Sequence, residues 1–145
     1  MRFVIAFGVL TALLVAACGG GGGKAKDVSV SLKEWSIAAT PAEAPEGKVK
    51  FSVKNDGTIP HEFVVVKSDL PPTGLPVKDG KVVEEQINLI DEIEPFGAGT
   101  TKSITLDLSP GKYLLICNIV ETPPGLPVVS HYQNGMVAFF LVEPD

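Results

Sequence analysis

From Asp27 to the end of the chain, residues that interrupt regular structure recur at short intervals: Pro41, Pro45 to Gly47, Asn55-Asp56-Gly57, Pro71-Pro72, Pro95 to Gly99 and Pro110-Gly111. Proline lacks an amide proton and fixes φ, while Gly, Asn and Asp supply turns. The segments between these breaks show no sustained helical period. Val28, Val30 and Leu32 alternate with polar residues, as do Val49, Phe51 and Val53, and Ile104, Leu106 and Leu108. Alternation puts the apolar side chains on one face of a strand, and that face must be covered. Two continuously apolar runs, at Glu62 to Val66 and Tyr113 to Ile116, suit central strands, and Met136 to Val142 reads as a last strand. The expectation is an all-β fold of about seven to eight short strands in two antiparallel sheets packed face to face. Asp69 to Gly80 reads as an exposed proline-rich loop. Val82 to Glu94 is a strand or a short helix whose carboxylates make a solvated face or, alternatively, dock a partner.

The N-terminus obeys different rules. One Arg precedes an apolar run of fifteen residues, Phe3 to Ala17, shorter than the roughly 20 a spanning helix needs. Residues 1–17 therefore read as an export signal. Val15-Ala16-Ala17-Cys18 resembles the lipobox of bacterial lipoproteins, which implies a lipidated Cys18 at the mature N-terminus. The alternative is a soluble secreted protein with a spare thiol. Residues 18–27, with five glycines after Cys18, form a linker rather than a phosphate loop, since no strand precedes them and no helix follows. Residues 28–145 are the folded domain. The expected location is the extracytoplasmic side of a bacterial membrane, in the periplasm or at the cell surface.

Twelve basic residues face seventeen acidic ones, for a net charge of −5. The lysines are scattered, so no basic footprint for nucleic acid is present. If Cys18 carries lipid, Cys117 is the single cysteine of an exported domain, where thiols oxidise readily. Such a cysteine is inert in a core or occupied by chemistry such as a metal. The mature chain offers two imidazoles, His61 and His131, one thiol, Cys117, and one thioether, Met136. Two imidazoles, a thiolate and a weak thioether form the donor set of an electron-transfer copper site. Each residue also has an ordinary explanation: a solvated loop histidine, a core cysteine, a methionine packed at the start of a strand.

Taken together, NDGTIPHEFVVV, SPGKYLLICN and HYQNGMVAFFLV resemble the cupredoxins, nearest to the plastocyanin- and sulfocyanin-like bacterial copper proteins. The resemblance spans nearly all of 28–142. It implies a Greek-key β-sandwich with one type 1 blue copper and one-electron transfer, with His61, Cys117 and His131 as equatorial ligands and Met136 as the axial one. It also gives Asn55 a role in tying the ligand loops together, the alternative being a plain turn residue. Electrons are expected to pass through an exposed edge of His131.

One departure from the family is plain. Thirteen residues separate Cys117 from His131, where the family commonly has a few. Pro123, Pro124 and Pro127 stiffen this insertion, and loop closure costs grow only slowly with length. Leu126, Val128 and Val129 are expected either to form an apolar docking patch for redox proteins beside the metal or to pack back onto the sandwich. A monomeric, lipid-anchored electron carrier is the leading expectation. A copper chaperone or storage protein and a metal-free interaction module are the rivals. Catalysis is not expected, because both histidines are taken by the metal and Ser130-His131 has no carboxylate partner in sequence.

Overall fold

The computed structural model describes residues 23–145. The export signal and Cys18 lie outside the described residues. The alternating segments become strands β1 (Lys26–Lys33), β4 (Gly47–Asn55) and β9 (Thr101–Leu108), each burying every second side chain. With β2 (Ser36–Thr40) they make one sheet in the order β2-β1-β4-β9. The second sheet contains β3 (Glu43–Pro45), β5 (His61–Lys67), β8 (Asn88–Phe96), β10 (Gly111–Ile116) and β13 (Val137–Glu143), in the order β3-β13-β10-β5-β8. Two small hairpins complete the strands: β6 (Val77–Lys78) with β7 (Lys81–Val82), and β11 (Val120–Glu121) with β12 (Val129–Ser130). The fold is an all-β sandwich, as expected, but its sheets are mixed. β1 pairs parallel with β4, and β13 parallel with β3. The cause is β3: after β2 the chain crosses to the edge of the opposite sheet and returns as β4, pointing the same way as β1. The extra strand brings the two sheets to nine strands.

The core lies between the sheets. Phe51 meets Phe63 and Phe140 across it, with ring centroids 5.4 and 5.3 Å apart. The continuously apolar runs are explained by a second cluster on the outer face of the second sheet. Val64, Val66, Leu114 and Ile116 are covered there by Leu75, Val82 and Tyr132. Asp69 to Gly80 is thus only partly the exposed loop expected. Leu75 is buried, its N–H donating to the Tyr132 hydroxyl, which in turn donates to the Pro72 carbonyl. Val82 to Glu94 divides into the end of β7, a 3-10 turn at Glu84–Gln86 and edge strand β8. Asp91, Glu92 and Glu94 charge that open edge, which discourages pairing with another chain.

This topology sets the position of everything that follows. β5 and β13 both run antiparallel to β10. The start of β5, the end of β10 and the start of β13 therefore lie side by side at one end of the sheet.

Candidate metal centre

His61 is the first residue of β5, Cys117 follows the last residue of β10, and Met136 precedes the first residue of β13. Within β10 the side chains alternate, so Tyr113, Leu115 and Cys117 share the inner core while Leu114 and Ile116 face out. Between His61 and Phe63 the β5–β8 register shifts, a bulge of the kind that re-aims a side chain beside a site. Asn55 ends β4 and is fully buried. Its Nδ2 donates to the carbonyls of Ile59 and Phe96, both at 2.9 Å, and its Oδ1 accepts the Gly57 N–H. Phe96 is also the β8 partner of His61. Asn55 is therefore no plain turn residue: it folds the His61 loop and pins it to β8.

The thirteen-residue gap has a simple resolution. The His131 N–H donates to the Ile119 carbonyl at 3.0 Å. Beyond that bond, Val120 pairs with Ser130 and Glu121 with Val129. The insertion leaves the site as a narrow hairpin and returns, so Ile119 and His131 are neighbours as they would be in a short loop. Two further bonds close the constellation: the Cys117 N–H donates to the Met136 carbonyl at 3.1 Å, and the Met136 N–H to the His131 carbonyl at 3.0 Å. All four donor residues are buried.

His61, Cys117 and His131 converge, with their donor atoms within 4.8 Å of one another, the only such group of three among the described residues. His61 Nδ1 lies 3.2 Å from His131 Nδ1, and Cys117 Sγ lies 3.3 Å from His131 Nδ1 and 3.9 Å from His61 Nδ1. An ion held at about 2.0–2.1 Å by nitrogen and about 2.3 Å by sulfur places its donors roughly 3.3–3.8 Å apart in tetrahedral or trigonal arrangements. The observed separations of 3.2, 3.3 and 3.9 Å straddle that range. The outer nitrogens carry a second sign. His61 Nε2 faces Glu34 Oε1 at 3.2 Å, whereas buried His131 Nε2 has no hydrogen-bond partner and Glu121 Oε1 stands 3.8 Å away. Once Nδ1 is given to a metal, Nε2 must carry the ring proton, and it then points that proton toward a carboxylate.

Electrostatics agree with a site built for neutral imidazoles. Burial lowers the pKa of both histidines, and for His131 the neighbouring His61 adds to the effect. Burial pushes the Cys117 thiol up to about 11, so a metal must displace its proton. The Cys117 sulfur accepts the Glu62 N–H at 3.4 Å. Burial raises Glu62 to about 7, while its Oε1 accepts the Asn118 N–H. The Asn118 side chain exchanges hydrogen bonds with Val82 and reaches Glu84, locking β7 against the residue after Cys117.

One expectation is overturned. His131 has no exposed edge: it is fully buried. Trp35, from the β1–β2 turn, packs edge-on against it with centroids 5.0 Å apart, and Glu121 from the hairpin lies beside it. Leu126 and Val128, at the hairpin, are 65% and 52% exposed, while Val129 is half-buried in β12. Glu34, Trp35, Asn118 and Glu121 were not singled out by sequence. No spacing links the first two to the ligands, since they come from the opposite sheet.

No protein-family model matches the sequence, and no curated protein is found similar to it. Solved structures are. Auracyanin B is 25% identical, with a TM-score of 0.58, over 83% of this chain and 90% of that one. Auracyanin A, described as a "blue" copper protein from Chloroflexus aurantiacus, is 20% identical with a TM-score of 0.54, over 83% and 100%. Rusticyanin from Thiobacillus ferrooxidans is 18% identical with a TM-score of 0.53, over 83% and 79%. These are cupredoxins, and the chain has the cupredoxin fold. Its His-Cys-His cluster is suited to one type 1 copper ion.

Proposed function

We propose that this protein carries single electrons on one type 1 copper held by His61, Cys117, His131 and Met136. The observation that carries this reading is the mutual spacing of three buried donor atoms in a cupredoxin fold. Bound there, copper would supply a Cu(I)/Cu(II) couple. The chain's own contribution is to hold the donors still through the change: β5, β10 and β13 fix their positions, the backbone bonds among Cys117, His131 and Met136 fix the loops, and burial excludes water. A closed site with no donor exposed favours passing electrons over handing on the metal, which needs an open and labile site. With Met136 as a fourth ligand, the site would leave no coordination position for a substrate.

The test is the spectrum of the copper-loaded protein. An intense blue colour, bleached reversibly by a reductant, is expected, and Cys117→Ser should abolish it while leaving the fold intact. A blue Cys117→Ser variant would remove Cys117 from the site. A colourless Cu(I) protein that yields its metal to a chelator would favour copper handling instead.

Partners would be redox proteins outside the cytoplasm, with the protein held at the membrane by lipid on Cys18. Docking falls on the exposed apolar side chains around the covered end of the sandwich, Trp35, Leu126 and Val128, rather than on His131 itself. Expressed in a bacterium, the full chain should fractionate with membranes and Cys18→Ser should not. A membrane-bound Cys18→Ser protein would refute the anchor.

A further inference from the structure

We infer that Glu34 is a positioning residue of the metal centre: its carboxylate holds His61 in the tautomer that turns the Nδ1 lone pair toward Cys117, and it biases the site toward the oxidised metal. The inference deepens the copper reading and rests on it.

Glu34 sits in the turn after β1, on the sheet opposite the one that carries His61. Its Oε1 accepts the Thr58 N–H at 2.8 Å and the Ile59 N–H at 3.0 Å, and stands 3.2 Å from His61 Nε2. Backbone amides only donate, so two of them converging on one oxygen fix that oxygen as an acceptor. The nitrogen facing it must then be the protonated one. With the proton on Nε2, Nδ1 is left as a lone pair, and Nδ1 is the atom that faces Cys117 and His131.

The arrangement has its own steric requirement. A Cβ at Gly57 would lie 2.6 Å from Glu34 Oε1 and 2.8 Å from His61 Nε2. Contacts that short do not occur, so only glycine lets the carboxylate and the imidazole meet. The two imidazoles are also supported unequally: His131 Nε2 is 3.8 Å from Glu121, outside hydrogen-bond reach.

A carboxylate on the outer nitrogen makes an imidazole a better donor and places negative charge near the metal. Both effects favour the more highly charged oxidised state. Changes to such outer partners typically cost about 10–100-fold in metal affinity. If the loss falls on Cu(II), a tenfold change is about 59 mV for a one-electron couple.

Glu34→Gln is the informative variant, because an amide oxygen can still accept all three donors while the charge is gone. It should keep the fold and the blue colour, and its reduction potential should rise by about 59 mV or more. An unchanged potential would mean that Glu34 only pins the loop, and would overturn the inference. Nitrogen NMR of the copper-free protein gives a readout independent of the metal. His61 should be the Nε2–H tautomer in the wild type and a mixture in Glu34→Ala, and an Nδ1–H wild type would equally overturn it. A wild-type protein that never turns blue would instead refute the copper reading, and the tautomer would then decide the role of Glu34.

Discussion

Trp35 has one edge against His131 and is 36% exposed to solvent. Its ring is the cover over an imidazole that would otherwise meet water. Trp35→Ala should cost about 1–2 kcal/mol of stability through lost burial and leave the blue colour. Water reaching the site favours the more charged oxidised metal, so the reduction potential should fall. Small charged reductants should react faster, because they approach His131 more closely. Stopped-flow kinetics and voltammetry read both changes, and no change in either would mean that the Glu121 hairpin shields His131 without Trp35. The scarcity of His, Cys and Met made the donor residues legible in the sequence. Glu34 was not, being one of seventeen acidic residues and brought to His61 only by the packing of one sheet on the other. Asn55 was half legible: its place before His61 marked it, but its bonds run within the His61 loop and to Phe96 rather than between the ligand loops.

At the scale of elements, alternation located the strands that carry the core, because each buries one face only. It also marked β5 and β10 as central, since a strand covered on both faces has no polar side to show. Alternation could not reveal what does the covering. Leu75, Val82 and Tyr132 come from three separate segments, and nothing local in Asp69 to Gly80 shows that Leu75 turns inward. Nor could it reveal that β3, three residues long, changes sheets and makes the β1–β4 pair parallel. The two-strand hairpin of the insertion was hidden as well. Its prolines read as a stiff loop, whereas its ends are joined by backbone bonds that remove the loop from the ligand geometry.

For the whole molecule, the metal reading makes a thermodynamic prediction. The donors come from three places in the chain, so an ion that binds only the folded form stabilises it by mass action, by about 4.1 kcal/mol at a thousandfold excess over Kd. Copper should therefore raise Tm, and a metal-free interaction module would show no rise. The gain also depends on pH in a definite direction. Cys117 holds its proton up to about 11, so loading releases a proton, and apparent affinity should climb about tenfold per pH unit through the neutral range. Burial lowers both imidazoles below their ordinary value of 6.5. The unfolded chain therefore takes up protons first as the solution is acidified. The part of the stability that depends on neutral histidines is complete above pH 6.5 and is lost as pH falls through the lowered values. Scanning calorimetry of metal-free and loaded protein between mild acid and neutrality measures both effects. A copper-dependent gain that is flat with pH would contradict ligation by the thiolate.

The bond from His131 to Ile119 has a further meaning. Everything from Thr122 to Val128 hangs outside a closed ring of backbone, so its length and composition can vary without moving a donor atom, whereas Glu121 beside His131 and Ser130 bonded to Gly80 stay with the site. A carrier of the proposed kind would be modular at that point: one part of the chain would set colour and potential, and an interchangeable cassette beside it would present the surface to any partner.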